Sequence, residues 1–114
     1  MDKAIHERIQ KLQLLEENLH GYLAQKQQAQ AKLMEIESAK EALDGTEEAY
    51  HIIGNIMVKR PVDVLEKELD ERMQEATIRI QALEKQESKL KSQAEILQQE
   101  IMKGMKVKDD DDVQ

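Results

Sequence analysis

Between Lys3 and Leu43 the apolar residues of this chain recur at alternating intervals of three and four. Ile5, Arg8, Leu12, Leu15, Leu19, Tyr22, Lys26, Ala29, Leu33, Ile36, Lys40 and Leu43 stand at these positions, and nine of the twelve are apolar. A 3.5-residue period held for nearly six heptads reads as a coiled-coil seam. A second run repeats it with Leu69, Met73, Ala76, Ile80, Leu83, Glu87, Leu90, Ala94, Leu97 and Ile101, broken only by Glu87. Each run has about forty residues, or ~60 Å of helix at ~1.5 Å per residue. Such a seam commits the chain to long helices that bury one stripe against another helix.

The composition agrees with a narrow seam rather than a round core. The hydrophobic fraction is 39%, the charged fraction 36%, and there is no Trp, no Phe and only two Tyr among 114 residues. Large aromatics, which bury the most area per residue, are almost absent. This favours an elongated helical protein over a ball. One domain is the most that this length allows. Asp2 is placed to cap the first helix, and Asp44-Gly45 to stop it, with Gly45 taking a left-handed conformation. Pro61 interrupts what precedes it, and Asp63 with Glu66 forms an N-terminal box for the second helix. The predicted organisation is a single domain over 1–114. Helix 1 covers about 3–43, a linker and β-hairpin about 46–60, helix 2 about 63–103, and an acidic tail 106–114.

Equal arms around a central breaker favour an antiparallel helical hairpin, the other possibility being pairing with a second copy. With Leu43 near Asp63, Leu33 meets Met73, Leu12 meets Ala94 and Ile5 meets Ile101. Lys26 then faces Ile80 and Glu87 faces Leu19, charges that a seam tolerates by snorkelling and that help to fix register.

Between the arms lies AYHIIGNIMVKRP, residues 49–61. Tyr50-His51-Ile52-Ile53 and Ile56-Met57-Val58-Lys59 read as two strands around Gly54-Asn55, a turn whose position could shift by one residue. Centred there, Ile53 pairs with Ile56 and Ile52 with Met57. Ile53, Ile56 and Val58 share one face; Tyr50, Ile52 and Met57 share the other. A lone two-stranded hairpin is marginal in water, and apolar faces with open edges invite pairing. Either the hairpin folds back on its own coiled coil, or it joins strands of other subunits in a closed sheet that satisfies the edges.

A helical arm, then Y-x-x-[IV]-G-x-[IL]-x-V-K, then a second arm resembles the prefoldin β-type subunit family. The matching residues are Tyr50, Ile53, Gly54, Ile56, Val58 and Lys59, and the run from Ile80 to Leu90 is similar to that family's second helix. The resemblance covers about residues 5–104. Ile52 stands where relatives often carry a polar residue, and the run from Asp109 to Asp112 is outside the family pattern. The resemblance implies a hetero-hexamer of two α-type and four β-type subunits whose hairpins form intersubunit β-barrels. It further implies an ATP-independent holdase whose coiled-coil tips bind unfolded proteins and deliver them to a group II chaperonin.

Antiparallel arms bring both termini to the end farthest from the hairpin. There lie Ile5, Ile9, Leu12, Leu97, Ile101, Met102, Met105 and Val107. Ile9 and Met102 fall off the seam, and Met105 and Val107 follow Gly104, read as a breaker. Methionine suits surfaces that accept many shapes. The plain alternative is the last turn of a coiled coil followed by a loose tail. The resemblance implies that these residues bind clients, and that Tyr50, Ile52, Ile53, Gly54, Ile56, Met57 and Val58 mediate oligomerisation.

Other classes find little support. Without cysteine there is no disulfide or thiolate metal site. His6, His20 and His51 do not cluster, Glu16 with His20 reads as a solvated pair, and no metal or other cofactor is expected. The four aspartates read as a soluble tail, with cation attraction as the other possibility. There is no phosphate-binding loop and no nucleophile-base set, so no enzyme is predicted. A net charge of -7 argues against nucleic acid. No apolar run spans a membrane and no signal peptide is apparent, which predicts a cytoplasmic protein. Two rival readings remain open: a structural coiled-coil oligomerisation protein, or a helical-hairpin adaptor that inserts its loop into a partner.

Overall fold

The computed structural model describes residues 3–113, with side chains as far as residue 106. The elements run α1 (Lys3–Leu43), β1 (Ala49–Ile53), β2 (Ile56–Arg60) and α2 (Val62–Val113). Two long helices thus flank a two-stranded antiparallel hairpin in the chain, as the heptads and the β-branched centre predict. Asp2, the expected cap of α1, lies outside the described residues.

The chain divides into two compact units, Met1–Gln25 with Leu83–Gln114, and Lys26–Ala82. Within the second unit, α1 stops where the sequence places its stop. Gly45 takes φ 74°, which costs a residue without Cβ little. The Asp44 and Thr46 amides donate to the Glu41 and Leu43 carbonyls at 3.2 and 3.1 Å. The Thr46 hydroxyl donates to the Ala42 carbonyl at 2.8 Å, so carbonyls that a helix end leaves orphaned find partners. Pro61 stands just before α2, and its carbonyl accepts the Leu65 amide at 3.1 Å. Asp63 lies in the first turn, where its charge complements the helix dipole. Along this unit's seam Ala29 and Ile36 are buried, and Lys26, Leu33, Leu43, Leu69, Met73, Ala76 and Ile80 are half-buried. Lys40 alone is exposed.

In the first unit, Ile5, Leu83, Ala94, Leu97 and Ile101 are buried, with Arg8, Leu12, Leu15, Leu19, Tyr22 and Leu90 half-buried. The interruption, Glu87, is also buried, and one carboxylate oxygen lies 3.1 Å from the ammonium of Lys91 one turn on. A buried carboxylate needs such pairing, because desolvation otherwise disfavours its charge.

Two expectations need correction. The expected end of the second helix at Lys103 is wrong, because α2 continues through Gly104 to Val113. Glycine inside a helix costs about 1 kcal/mol against alanine, too little to end one without a left-handed cap, and Gly104 has no positive φ. It stands at the next seam position after Leu97 and Ile101, and a Cβ there would come 3.1 Å from Ile5 Cδ1. Lacking a side chain, it lets Ile5 pack closely. The register expected from pairing Ile5 with Ile101 is also offset, because the Ile5 side chain closes on Gly104, three positions further on. In heptad terms this sets an a position against a d position rather than a against a. Within this unit Arg8 Nε lies 3.6 Å from a Glu100 carboxylate oxygen, in keeping with that register. Within the other unit, the bridge from Lys40 to Asp70 fits a shift in the same sense.

Candidate interaction surfaces

The hairpin register follows the sequence expectation. Ile53 pairs with Ile56, Ile52 with Met57, His51 with Val58, Tyr50 with Lys59 and Ala49 with Arg60. Gly54 has φ 60°, and among the described residues no non-glycine residue has positive φ. A left-handed first turn residue followed by an ordinary second one is the type II′ pattern, whose twist matches paired strands. The turn therefore sits on Gly54-Asn55 without slipping.

Alternation puts Ala49, His51, Ile53, Ile56, Val58 and Arg60 on one face, and Tyr50, Ile52, Met57 and Lys59 on the other. The base of the first face is held down: Ala49 is buried, and Arg60 meets a Glu68 carboxylate oxygen of α2 at 2.9 Å. Glu48 accepts from Lys59 at 3.2 Å and from the Tyr50 hydroxyl at 3.4 Å. Beyond that base the side chains open to solvent, Ile53 and Ile56 at 56% and 67%, Ile52 and Met57 at 65% and 63% exposed. Among the described residues the sheet has only these two strands, so each has an unpaired edge. Apolar faces with open edges form a template for further strands.

His51 adds a feature that the sequence did not single out. Its Nδ1 is buried without a hydrogen-bond partner. Burying an imidazole nitrogen unpaired is costly, and a strand-forming tract with a polar residue facing Val58 was the available signal.

The residues expected at the end bearing both termini separate into two groups. Ile5, Leu97 and Ile101 are buried in the seam, while Ile9 and Leu12 are half-buried. Met102 and Met105 are exposed, at 70% and 43%. They are three residues apart on α2 and so share a side of the helix. The Val107 side chain lies outside the described residues. Two further exposed apolar side chains of this unit, Leu14 and Ile96, lie outside the expected set. Their heptad position, well away from the a/d seam, was the signal that could have found them.

In the second unit one exposed ion pair joins α1 to α2. Lys40 Nζ lies 2.6 Å from an Asp70 carboxylate oxygen. The hydrogen bond to Asp70, then its charge, holds the lysine above its ordinary range. Among the described residues, no helix is long and apolar enough to cross a membrane.

Comparison with known proteins gives a consistent result. A family model described as "Prefoldin subunit" matches residues 6–107. The chain is similar to prefoldin subunit beta of Archaeoglobus fulgidus, with 33% identity over 82% of this chain and 83% of that one. It is also similar to prefoldin subunit beta of Sulfurisphaera tokodaii, with 34% identity over 80% of this chain and 75% of that one. Among solved structures, the prefoldin beta subunit from Thermococcus strain KS-1 superposes with TM-score 0.85 and 25% identity, covering 90% of this chain and 93% of that one.

Proposed function

Because the chain belongs to the prefoldin subunit family of chaperones, we propose that it acts as a β-type subunit of an ATP-independent holdase. In this reading the whole chain serves as one prefoldin-like domain in the cytoplasm, without a cofactor or a catalytic step. It assembles with α-type subunits and other copies of itself, two α-type with four β-type. The observation that carries the reading is the hairpin: Ile52, Ile53, Ile56 and Met57 stand exposed on a sheet with two open edges. Strands from neighbouring subunits would satisfy those edges and close a barrel.

The other half of the reading concerns the end carrying both termini. Met102 and Met105, with the half-buried Ile9 and Leu12, offer an adaptable apolar contact for unfolded proteins. Ile5, Leu97 and Ile101 contribute when the last turns fray and expose the seam, and Val107 extends the same set. One such contact is weak. Several held around a common space gain strength by effective concentration and still release one by one, which suits delivery to a group II chaperonin without nucleotide.

Replacing Ile53 and Ile56 by Asp, co-expressed with an α-type subunit, should abolish the hexamer while leaving helicity. An intact hexamer by native mass measurement would sink the barrel. Removing residues 1–8 and 101–114 should spare assembly but weaken suppression of aggregation of a denatured client. Undiminished suppression would leave a scaffold whose hairpin only joins subunits.

A further inference from the structure

The chain has six methionines and no cysteine, so the only sulfurs that an oxidant can reach are thioethers. Their exposure is uneven. Met102 is the most exposed large apolar side chain among the described residues, and Met105 shares its side of α2. Met34 on α1 and Met57 in the hairpin are exposed as well, at 67% and 63%, whereas Met73, on the seam, is half-buried, so what sets Met102 and Met105 apart is their pairing on one side of a helix at the client-holding end. From this arrangement we propose that Met102 and Met105 form a reversible oxidation site for peroxides, and that their conversion to sulfoxides lowers the grip on unfolded proteins. The functional half of this inference rests on the client-holding reading above.

The chemistry is oxygen-atom transfer. A sulfur lone pair attacks one peroxide oxygen, the O–O bond breaks, and the departing hydroxide takes up a proton and leaves as water. The thioether is oxidised to a sulfoxide and the peroxide reduced. Oxidation replaces a flexible apolar group by a polar, chiral one. At a seam position such a change would split the coiled coil. At Met102 and Met105 the seam is carried instead by Leu97, Ile101 and the close pair of Ile5 with Gly104. The helices can therefore stay paired while the contact surface becomes hydrated. With no thiol in the chain to react first, the thioethers meet the oxidant directly. Methionine sulfoxide reductases act on each of the two epimers, so the change can be undone.

The test treats the assembled complex of full-length chain and α-type subunit with hydrogen peroxide. Peptide mass mapping follows each methionine, and client aggregation is measured before and after. Met102 and Met105 should gain one oxygen each ahead of Met73, and suppression should fall several-fold and return after reductase treatment. In a Met102→Leu/Met105→Leu complex the ratio of treated to untreated suppression should stay near one, whereas a Met34→Leu complex should remain as sensitive as the parent. Full oxidation of both methionines without loss of suppression would overturn the proposal. An equal loss in the double-leucine complex would do so too. If truncating residues 1–8 and 101–114 weakens suppression but peroxide does not, the client-holding reading survives and the oxidation switch falls. If truncation changes nothing, both fall.

Discussion

Gly54 offers the cleanest perturbation of the hairpin, because the space around it is empty. Its φ is 60°, and a Cβ built on it meets nothing within 4 Å. Gly54→Ala therefore adds no clash, and its entire effect is conformational. Holding an alanine in such a sparsely populated backbone region costs about 1–3 kcal/mol. The helices do not use this turn, so far-UV helicity of the isolated chain should be unchanged. A two-stranded hairpin is marginal by itself. In the free variant it relaxes out of the strained turn, and the penalty reappears whenever the hairpin must re-form to join neighbouring strands. Each subunit's association should then weaken by about fivefold to 140-fold. Gly54→Asn should fall between glycine and alanine, since asparagine tolerates positive φ better. Native mass measurement of hexamer over a dilution series reads this directly. If alanine leaves both the dissociation midpoint and the helicity unchanged, the strand pairing built on this turn does not hold the assembly together.

Ile36→Ala, at a buried seam position, should destabilise by about 2–5 kcal/mol, while Met34→Ala, two residues away but 67% exposed, should stay within about 0.5 kcal/mol. Thermal unfolding of the assembled protein tests the contrast, and equal effects would refute the assigned seam. The raised pKa of Lys40 stabilises the folded state fully below the lysine's unfolded value, near 10.5. That contribution is lost as pH rises through the higher folded value, so the difference in melting temperature between parent and Asp70→Asn should be flat around neutrality and shrink only in strong alkali.

Much of this fold is legible because its determinants are local and periodic. The α1 bounds, the Gly45 stop and the Gly54-Asn55 turn follow from heptad spacing and from residues whose backbone preferences are strong. The whole hairpin register follows from one turn, since a two-residue loop fixes every pair outward from Ile53 and Ile56. The interaction residues are less legible. Apolarity near the termini is evident in the sequence, but Ile5, Leu97 and Ile101 turn out to be buried while Leu14 and Ile96 are exposed. Heptad position, rather than proximity to a terminus, decides which apolar residue has a partner.

The helix register shows why spacing alone was insufficient. Both arms have a sound repeat, but a repeat fixes only which stripe is buried. Sliding one helix along the other by half a heptad keeps both stripes facing and exchanges a-with-a layers for a-with-d layers. What distinguishes the two in the first unit is a small residue meeting a large one. Ile5 packs against the position where Gly104 has no side chain, and any side chain there would force Ile5 to give way. A glycine that reads as a helix breaker is thus a spacing residue. Its roughly 1 kcal/mol helix penalty is offset by the close packing of an isoleucine that is only 3% exposed. The same contact keeps the seam closed beside Met102 and Met105, so two exposed thioethers can sit at the end of a coiled coil without being needed to hold it shut.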